Sequence, residues 1–211
     1  MKYRAFILVA VICLMSCCHV YAAEPDHVYI TGEVKDGLYT NRTLGAEAYF
    51  GENWKVLSRE EIISLMGATA SLSPTIEEVT QGQIPVFYVR TNDWSANINM
   101  TVSNLGIFGE AIVSMSGDKF MDELMKYLSG VLSKAYTEMG AQDFRLERVK
   151  LKFLGTEGEG FSITSKVAGT VTMYQKMAIC IRGEYGYNIT ATSIGYDITD
   201  NLLSIFRRIS E

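Results

Sequence analysis

Four strand-like segments follow one another towards the C-terminal end of the chain, and the connections between them are short. They span residues 146–153, 160–167, 170–181 and 185–193, and they are rich in β-branched and aromatic residues. Each connection holds only a few residues, whereas parallel neighbours need a crossover of about a dozen residues or more. Neighbouring strands are therefore predicted to run antiparallel, which excludes the parallel α/β folds.

Helical periodicity is strongest over residues 118–139. Apolar residues recur there at the spacing of a helix with one buried face. Gly140 follows, where a residue in the left-handed conformation ends a helix. Two shorter helices are also predicted. One starts at a capping box formed by Ser58 and Glu61, and the other covers residues 199–209.

A hairpin is predicted between the first two helices. Residues 85–90 form one strand and residues 96–102 the other, with turn-forming residues between them. In the second strand apolar side chains alternate with polar ones, among them Asn97 and Asn99. One side of this strand should face the core, and the side with the two asparagines should face water or a partner.

These patterns predict an α+β fold in which an antiparallel sheet carries helices on both faces, as an α/β/α sandwich. No repeat, low-complexity linker or second domain interrupts residues 37–211. We therefore expect this segment to form one domain, after a polar lead-in over residues 23–36.

The N-terminal residues resemble a bacterial secretory leader. Lys2 and Arg4 precede an uncharged, mostly apolar run over residues 5–18. Such a run is too short to span a membrane comfortably, and small residues follow it, as at a cleavage site. The segment therefore predicts an extracytoplasmic protein.

Two cleavage points are compatible with this leader. Cleavage after Ala22 gives a signal peptide over residues 1–22 and a secreted chain. A lipobox-like match at Cys17 gives a lipoprotein signal over residues 1–16 and predicts a lipidated Cys17 that attaches the chain to a membrane. Both alternatives stay open at this stage.

Several kinds of active site lack their residues in this sequence. The two histidines, His19 and His27, both precede the predicted domain, which leaves little for His-based nucleophilic catalysis or a His-ligated metal. Cys180 is the one cysteine outside the leader region, in an apolar segment typical of a buried thiol. No glycine-rich phosphate loop joins a strand to a helix. We therefore expect a protein that is not an enzyme and holds no cofactor or metal.

Charge also narrows the class of partner. The chain carries 19 Lys and Arg against 24 Asp and Glu, a net charge of −5, which argues against nucleic-acid binding. Within this acidic chain Arg148, Lys150 and Lys152 alternate along one predicted strand. The alternation is typical of a solvated sheet face or a charge-protected edge. The alternative is a docking strip for an anionic partner or a lipid headgroup.

Short segments spread over the whole predicted domain carry a family resemblance. They are residues 37–41, 45–50, Asn53-Trp54, Phe87-Tyr88, 97–99 and Gly186-Tyr187. With the capped helix, the long helix and the closing strands, they resemble the PsbP-like superfamily, named for an extrinsic subunit of the photosynthetic oxygen-evolving complex. The resemblance implies an α/β/α sandwich around an antiparallel sheet and a non-catalytic accessory role in a larger assembly, and it carries over no site residue.

Three functions are compatible with these observations. The first is an accessory module of the bacterial cell envelope that docks a protein partner, with Arg148, Lys150, Lys152, Asn97 and Asn99 as candidate contacts. The second is a secreted protein that binds a small ligand or cation in a cleft between sheet and helix. The third is a hydrolase that uses two carboxylates facing one cleft. No nucleic-acid partner is expected, and membrane contact is expected only through an N-terminal lipid.

Overall fold

The computed structural model describes residues 30–70, 83–105 and 117–209. The helices are α1 (Arg59–Ala70), α2 (Gly117–Glu138) and α3 (Thr199–Leu203). The strands are β1 (Glu33–Lys35), β2 (Leu38–Asn41), β3 (Ala46–Tyr49), β4 (Trp54–Val56), β5 (Ile84–Thr91), β6 (Ala96–Asn104), β7 (Gln142–Phe153), β8 (Thr156–Val167), β9 (Val171–Arg182), β10 (Tyr185–Ile194) and β11 (Phe206–Arg208).

Seven of these strands form one sheet in the order β4-β5-β6-β10-β9-β8-β7. Every pair in it is antiparallel. The strands from β7 to β10 are successive hairpins, as the short connections predict. The prediction of an antiparallel sheet is therefore confirmed, and the observed strands extend the predicted ones by a few residues.

A second sheet has the order β1-β2-β3-β11, and the sequence patterns did not predict it. Its last strand replaces part of the helix predicted over residues 199–209. α3 ends at Leu203, and Phe206 then pairs with Ala48 of β3. The prediction of a helix as far as residue 209 is therefore wrong, because a short apolar run fits both periods and pairing with a distant strand decides between them.

The pairing register assigns side chains to the two faces of the seven-stranded sheet. Tyr88, Asn99, Thr190 and Met177 lie in one row across β5, β6, β10 and β9. α1 packs at the Tyr88 end of this row, and α2 packs at the Met177 end. Both longer helices therefore cover the same face, which we call the helical face.

The opposite face is covered mainly by the four-stranded sheet, with the short helix α3 beside it. Ala48, Leu203 and Phe206 share one core cluster with Ile98 and Ile189 of the large sheet. The α+β class is confirmed, but helical layers on both faces, as in the predicted α/β/α sandwich, are not. The reason is that β2 pairs with β3 and β3 pairs with β11, which gives this face a sheet as its cover.

Phe206 lies at the centre of the core between the two sheets. Its ring centroid is 6.0 Å from that of Phe87 on β5 and 5.4 Å from that of Phe153 on β7. In a flat sheet strands this far apart in the order would be separated by about 24 Å. The large sheet therefore curls around β11, and a single aromatic ring contacts both of its outer parts.

Polar groups buried in and around the small sheet are paired. Asn41 donates to the carbonyl of Ile30 and to the hydroxyl of Tyr39, both at 2.9 Å, and its Oδ1 accepts from the backbone N–H of Leu44 at 2.8 Å. Burial raises the pKa of Tyr39, whose neutral hydroxyl donates to the carbonyl of Thr31 at 3.0 Å. This part of the molecule follows the rule that buried polar groups have partners.

The two longer helices begin as the sequence predicts. Ser58 N–H donates to Glu61 Oε2 at 2.9 Å, and Glu61 N–H donates to Ser58 Oγ at 3.2 Å, which confirms the capping box. α1 continues from this start to Ala70. Across the described part of the chain, we find no helix that combines the length and the apolar character needed to cross a membrane.

Candidate functional site

β7 carries the predicted basic strip and forms one edge of the large sheet. Among the described residues it pairs only with β8. Arg148, Lys150 and Lys152 lie on the same side of this strand because side chains alternate along a strand. Their surroundings nevertheless differ, and they divide the strip into a structural part and an exposed part.

Arg148 is the structural part of the strip. Its guanidinium contacts Asp118 and Asp122 of α2, the latter at 2.9 Å, and also Glu159 of β8. Its side chain is only 24% exposed. Hydrogen bonds to Glu159 and Asp118 raise the pKa of Arg148 further above its ordinary value. Arg148 therefore fastens the first turns of α2 to the sheet, and its charge is already matched by carboxylates within the protein.

Replacing Arg148 by alanine should lower the thermal midpoint of unfolding, because three carboxylates then repel one another without a cation between them. The difference from the wild type should shrink at about 1 M salt, where the Debye length is only about 3 Å. Thermal melts at low and high salt measure both effects. Lys150→Ala, two residues further along β7, is the matched control and should change neither melt. An equal fall of the thermal midpoint in the two variants would show that Arg148 does not fasten α2 to the sheet.

Lys150 and Lys152 are exposed, and no described residue forms an ion pair with them. They line a groove of about 810 Å³ between the edge of β7 and the segment formed by α3 and β11. We call it the basic groove. Its lining residues are Lys150, Leu151, Lys152, Leu154, Gly155, Glu157, Asp200, Asn201, Leu203, Ser204, Phe206, Arg207 and Arg208.

The basic groove has an apolar base and a mostly positive rim. Leu151, Leu203 and Phe206 are buried and belong to the core between the sheets. The residues that border this base include four basic ones, Lys150, Lys152, Arg207 and Arg208, against two acidic ones, Glu157 and Asp200. Asp200 is bound by Lys176 at 2.6 Å, which leaves an excess of positive charge. An apolar base with a charged rim is the usual composition of a protein-binding surface.

Two of the rim cations were missed in the sequence. Arg207 and Arg208 fell within the predicted C-terminal helix, whereas the structure places them on β11. Arg208 donates to the carbonyl of Leu154, in the connection after β7, at 3.1 Å and to Oγ1 of Thr156, the first residue of β8, at 2.7 Å. Arg208 therefore holds the far wall of the groove at a fixed distance from β7. Phe206 is followed by two basic residues, so no alternation in the sequence indicated this strand.

Asn97 and Asn99 lie elsewhere, on the helical face of the two central strands. They are 1% and 5% exposed, so the expectation that this side of β6 meets water or a partner is not met. Burial depends on what covers a sheet, which the alternation within one strand does not determine. The structure thus brings Lys150 and Lys152 together in one groove and separates the two asparagines from them.

The asparagines belong to a larger polar surface on β6 and β10. All of its members are at most 7% exposed, and none carries a charge. We call this surface the polar floor, and its residues are Asn97, Asn99, Thr101, Asn188, Thr190 and Thr192.

Other polar or reactive residues that could take part in a site stabilise the fold instead. Asp197 Oδ1 accepts hydrogen bonds from the backbone N–H and the hydroxyl of Thr199 at the start of α3. Burial raises the pKa of the Cys180 thiol, which packs against the core. Among the described residues, no group of three or more His, Cys, Asp or Glu side chains could hold a metal ion. Cys17 and the predicted leader lie outside the described residues.

Comparison with known proteins gives likenesses of structure and none of sequence. No family model and no curated protein matches the chain. The structure is similar to the solution structure of cyanobacterial PsbP (CyanoP) from Synechocystis sp. PCC 6803, with 10% identity, a TM-score of 0.47, and coverage of 84% of this chain and 96% of that one.

A second likeness is to LpqN, involved in cell envelope biogenesis of Mycobacterium tuberculosis, with 10% identity, a TM-score of 0.32 and 75% coverage of each chain.

Proposed function

We propose that the protein is a non-catalytic, extracytoplasmic accessory module that docks an acidic segment of a protein partner in the basic groove. The observation that carries the proposal is the groove itself, where unpaired lysines line an apolar base beside an open strand edge. The leader-like residues 1–22 support a location outside the cytoplasm. The alternative docking strip with Arg148 is not part of the proposal, since three carboxylates already hold this residue.

The charge of the rim favours an acidic occupant. No described residue forms an ion pair with Lys150 or Lys152, although Glu159 and Glu157 face them on β8. Arg207 adds a further cation on the other wall. Opposite charges across an interface speed association and select the partner, whereas like charges exclude others. The chain as a whole has a net charge of −5, whereas the basic groove has a local excess of positive charge.

The open edge of β7 favours an extended occupant. β7 spans 12 residues and has no described neighbour on its outer side. An extended peptide can add to such an edge through backbone hydrogen bonds, while pockets beside the edge bind alternate side chains. The basic groove lies beside this edge, so an acidic strand of a partner could use both.

Photo-crosslinking in the native cells tests this proposal. A benzophenone amino acid in place of Lys150 should give one dominant protein adduct. Adding Lys152→Glu and Arg207→Glu should reduce that adduct at least tenfold, because both walls then repel an acidic segment, and about 1.4 kcal/mol of lost attraction is enough for a factor of ten.

The matched control moves the same charge change elsewhere. Lys35→Glu with Arg182→Glu alters two exposed cations away from the groove and should leave the adduct unchanged. A benzophenone at Lys35 should give no dominant adduct. An adduct that survives the groove reversal, or that falls equally with both pairs, would rule out docking in the basic groove.

A further inference from the structure

The polar floor is built by three rows of facing side chains on the central strands. Across β6 and β10, Asn97 faces Thr192, Asn99 faces Thr190, and Thr101 faces Asn188. All six side chains lie on the helical face, because residues two apart on a strand share a face. An apolar sheet face would pack well beneath helices, so a wholly polar one at this depth calls for a physical reason.

The next strand, β5, extends the same surface. Its Arg90 stands opposite Asn97, and its Tyr88 stands opposite Asn99. The guanidinium of Arg90 lies 3.8 Å from the ring centroid of Trp94 and donates from Nη1 to the carbonyl of Thr91 at 3.0 Å. Arg90 is therefore held in place at one border of the polar floor.

Most of the polar atoms on this surface have no partner within the described parts of the chain. Each of them is shielded from solvent. Buried polar atoms without partners are few in native proteins, and here they gather in neighbouring rows of three adjacent strands. They are both amide atoms of Asn97, Oγ1 of Thr101 and of Thr190, Oδ1 of Asn188, the hydroxyl of Tyr88 and Nε of Arg90.

The border of the polar floor beneath α2 is different. Tyr136 of α2 donates to Gln175 Oε1, and Gln175 Nε2 donates to Thr192 Oγ1 at 3.0 Å. Where α2 covers the sheet, the protein thus supplies its own hydrogen bonds. Ser165 Oγ on β8 is one further unpaired atom on this face, but the group of neighbouring unpaired atoms lies between that border and Arg90.

The donor and acceptor character of the unpaired atoms restricts the kind of ligand that could form their missing hydrogen bonds. Asn97 Nδ2 and Arg90 Nε are donors, Asn97 Oδ1 and Asn188 Oδ1 are acceptors, and the hydroxyls can be either. A carboxylate or phosphate offers only acceptors, and a metal ion or an ammonium group binds only acceptors. Hydroxyl groups both donate and accept. The six polar-floor side chains also carry no charge, so a cation would be desolvated there without a counter-charge, and an anion would find only Arg90, at the border.

We propose that the polar floor binds a neutral, polyhydroxylated small molecule, such as a monosaccharide or a cyclitol. Its hydroxyl groups complete the hydrogen bonds of Asn97, Thr101, Asn188 and Thr190, and Arg90 and Tyr88 bind it from the side of β5. The polar floor lies on the central strands β6 and β10, whereas the basic groove borders the edge strand β7, so the proposal is independent of partner docking and can fail separately from it.

Thermal melts with a defined panel test this inference. The panel contains D-glucose, D-galactose and myo-inositol as neutral probes, with D-glucuronate and D-glucosamine as charged ones. At least one neutral probe at millimolar concentration should raise the midpoint of the full chain by about 2 °C or more, because it binds only the folded state. In amide NMR spectra the same probe should shift the side-chain signals of Asn97 and Asn188.

Two asparagine variants form a matched pair for this test. Asn41 and Asn97 are 0% and 1% exposed, but Asn41 has all its hydrogen bonds and Asn97 has none. Without a probe, Asn41→Leu should melt well below the wild type, whereas Asn97→Leu should melt at the same midpoint or higher, since removing an unpaired buried amide removes a penalty. Asn97→Leu should also lose the stabilisation by the neutral probe.

The outcomes separate clearly. The proposal is overturned if no neutral probe shifts the wild type, if only the charged probes do, or if Asn97→Leu melts as far below the wild type as Asn41→Leu. If Asn97→Leu does not fold, Thr190→Val removes one unpaired hydroxyl at constant shape, and it should keep the midpoint while weakening the shift by the probe at least threefold.

Discussion

Replacing Phe206 by alanine should lower the free energy of unfolding by about 3–5 kcal/mol, as removal of a buried phenylalanine does. Phe206 is 3% exposed, and its ring contacts those of Phe50, Phe87 and Phe153. Those rings come from both sheets, so the cavity left by the substitution opens where the sheets meet. Denaturant unfolding monitored by circular dichroism measures the loss, and the thermal midpoint should fall by roughly 10 °C.

An exposed aromatic residue provides the control for this experiment. Tyr196 is 84% exposed, and Tyr196→Ala should change the free energy of unfolding by no more than about 0.5 kcal/mol. Phe206→Ala should also loosen the basic groove, because Arg207 and Arg208 follow on the same strand. If Phe206→Ala proves as mild as Tyr196→Ala, the large sheet does not curl around β11.

Elements that depend on nearby residues could be predicted from the sequence. α2 begins and ends within one residue of its predicted bounds, because a long amphipathic pattern leaves a single consistent helix. The hairpins from β7 to β10 followed from connections too short for any crossover. The capping box at Ser58 and Glu61 is likewise formed by groups three residues apart.

Elements that depend on distant residues could not be predicted. β11 exists because Phe206 pairs with Ala48, far away along the chain, and its apolar spacing alone was equally compatible with a helix. β1 and β2 are 3 and 4 residues long, too short for a period to be recognised. The missed second sheet led to the expectation of helical layers on both faces, which is not confirmed.

The candidate site divides in the same way. The exposure of Lys150 and Lys152 followed from the alternation of β7, a local property. The ion pair of Arg148 with Asp118 could not be predicted, because Asp118 lies on α2 and only the fold brings the two residues together. The burial of Asn97 depends on what covers the helical face. The alternation of β6 alone does not contain this information, so the polar side of β6 was predicted to face solvent.

Close contact between backbones is a further feature that no sequence pattern indicated. Gly160 of β8 is buried, and a Cβ built on it would lie 2.2 Å from the carbonyl oxygen of Met177 and 2.3 Å from Cδ2 of Leu151. Gly158, two residues earlier on the same side of the strand, is exposed and has no atom within 4 Å of such a Cβ. A glycine inside a strand often marks a place where another backbone approaches.

Replacing Gly160 by alanine should therefore lower the free energy of unfolding by about 2–4 kcal/mol, the upper range for overpacking a well-packed site. The side chain of Leu151 can move, but the carbonyl of Met177 belongs to the paired strand β9 and cannot move without breaking the sheet register. The double variant Gly160→Ala/Leu151→Ala should consequently fall below Gly160→Ala and not recover, since it adds a lost core contact to an unrelieved clash. Gly158→Ala should stay within about 0.5 kcal/mol of the wild type. Denaturant unfolding of the wild type and the three variants measures these free energies. A double variant more stable than Gly160→Ala would mean that the side chain of Leu151, and not the backbone of β9, requires glycine at position 160.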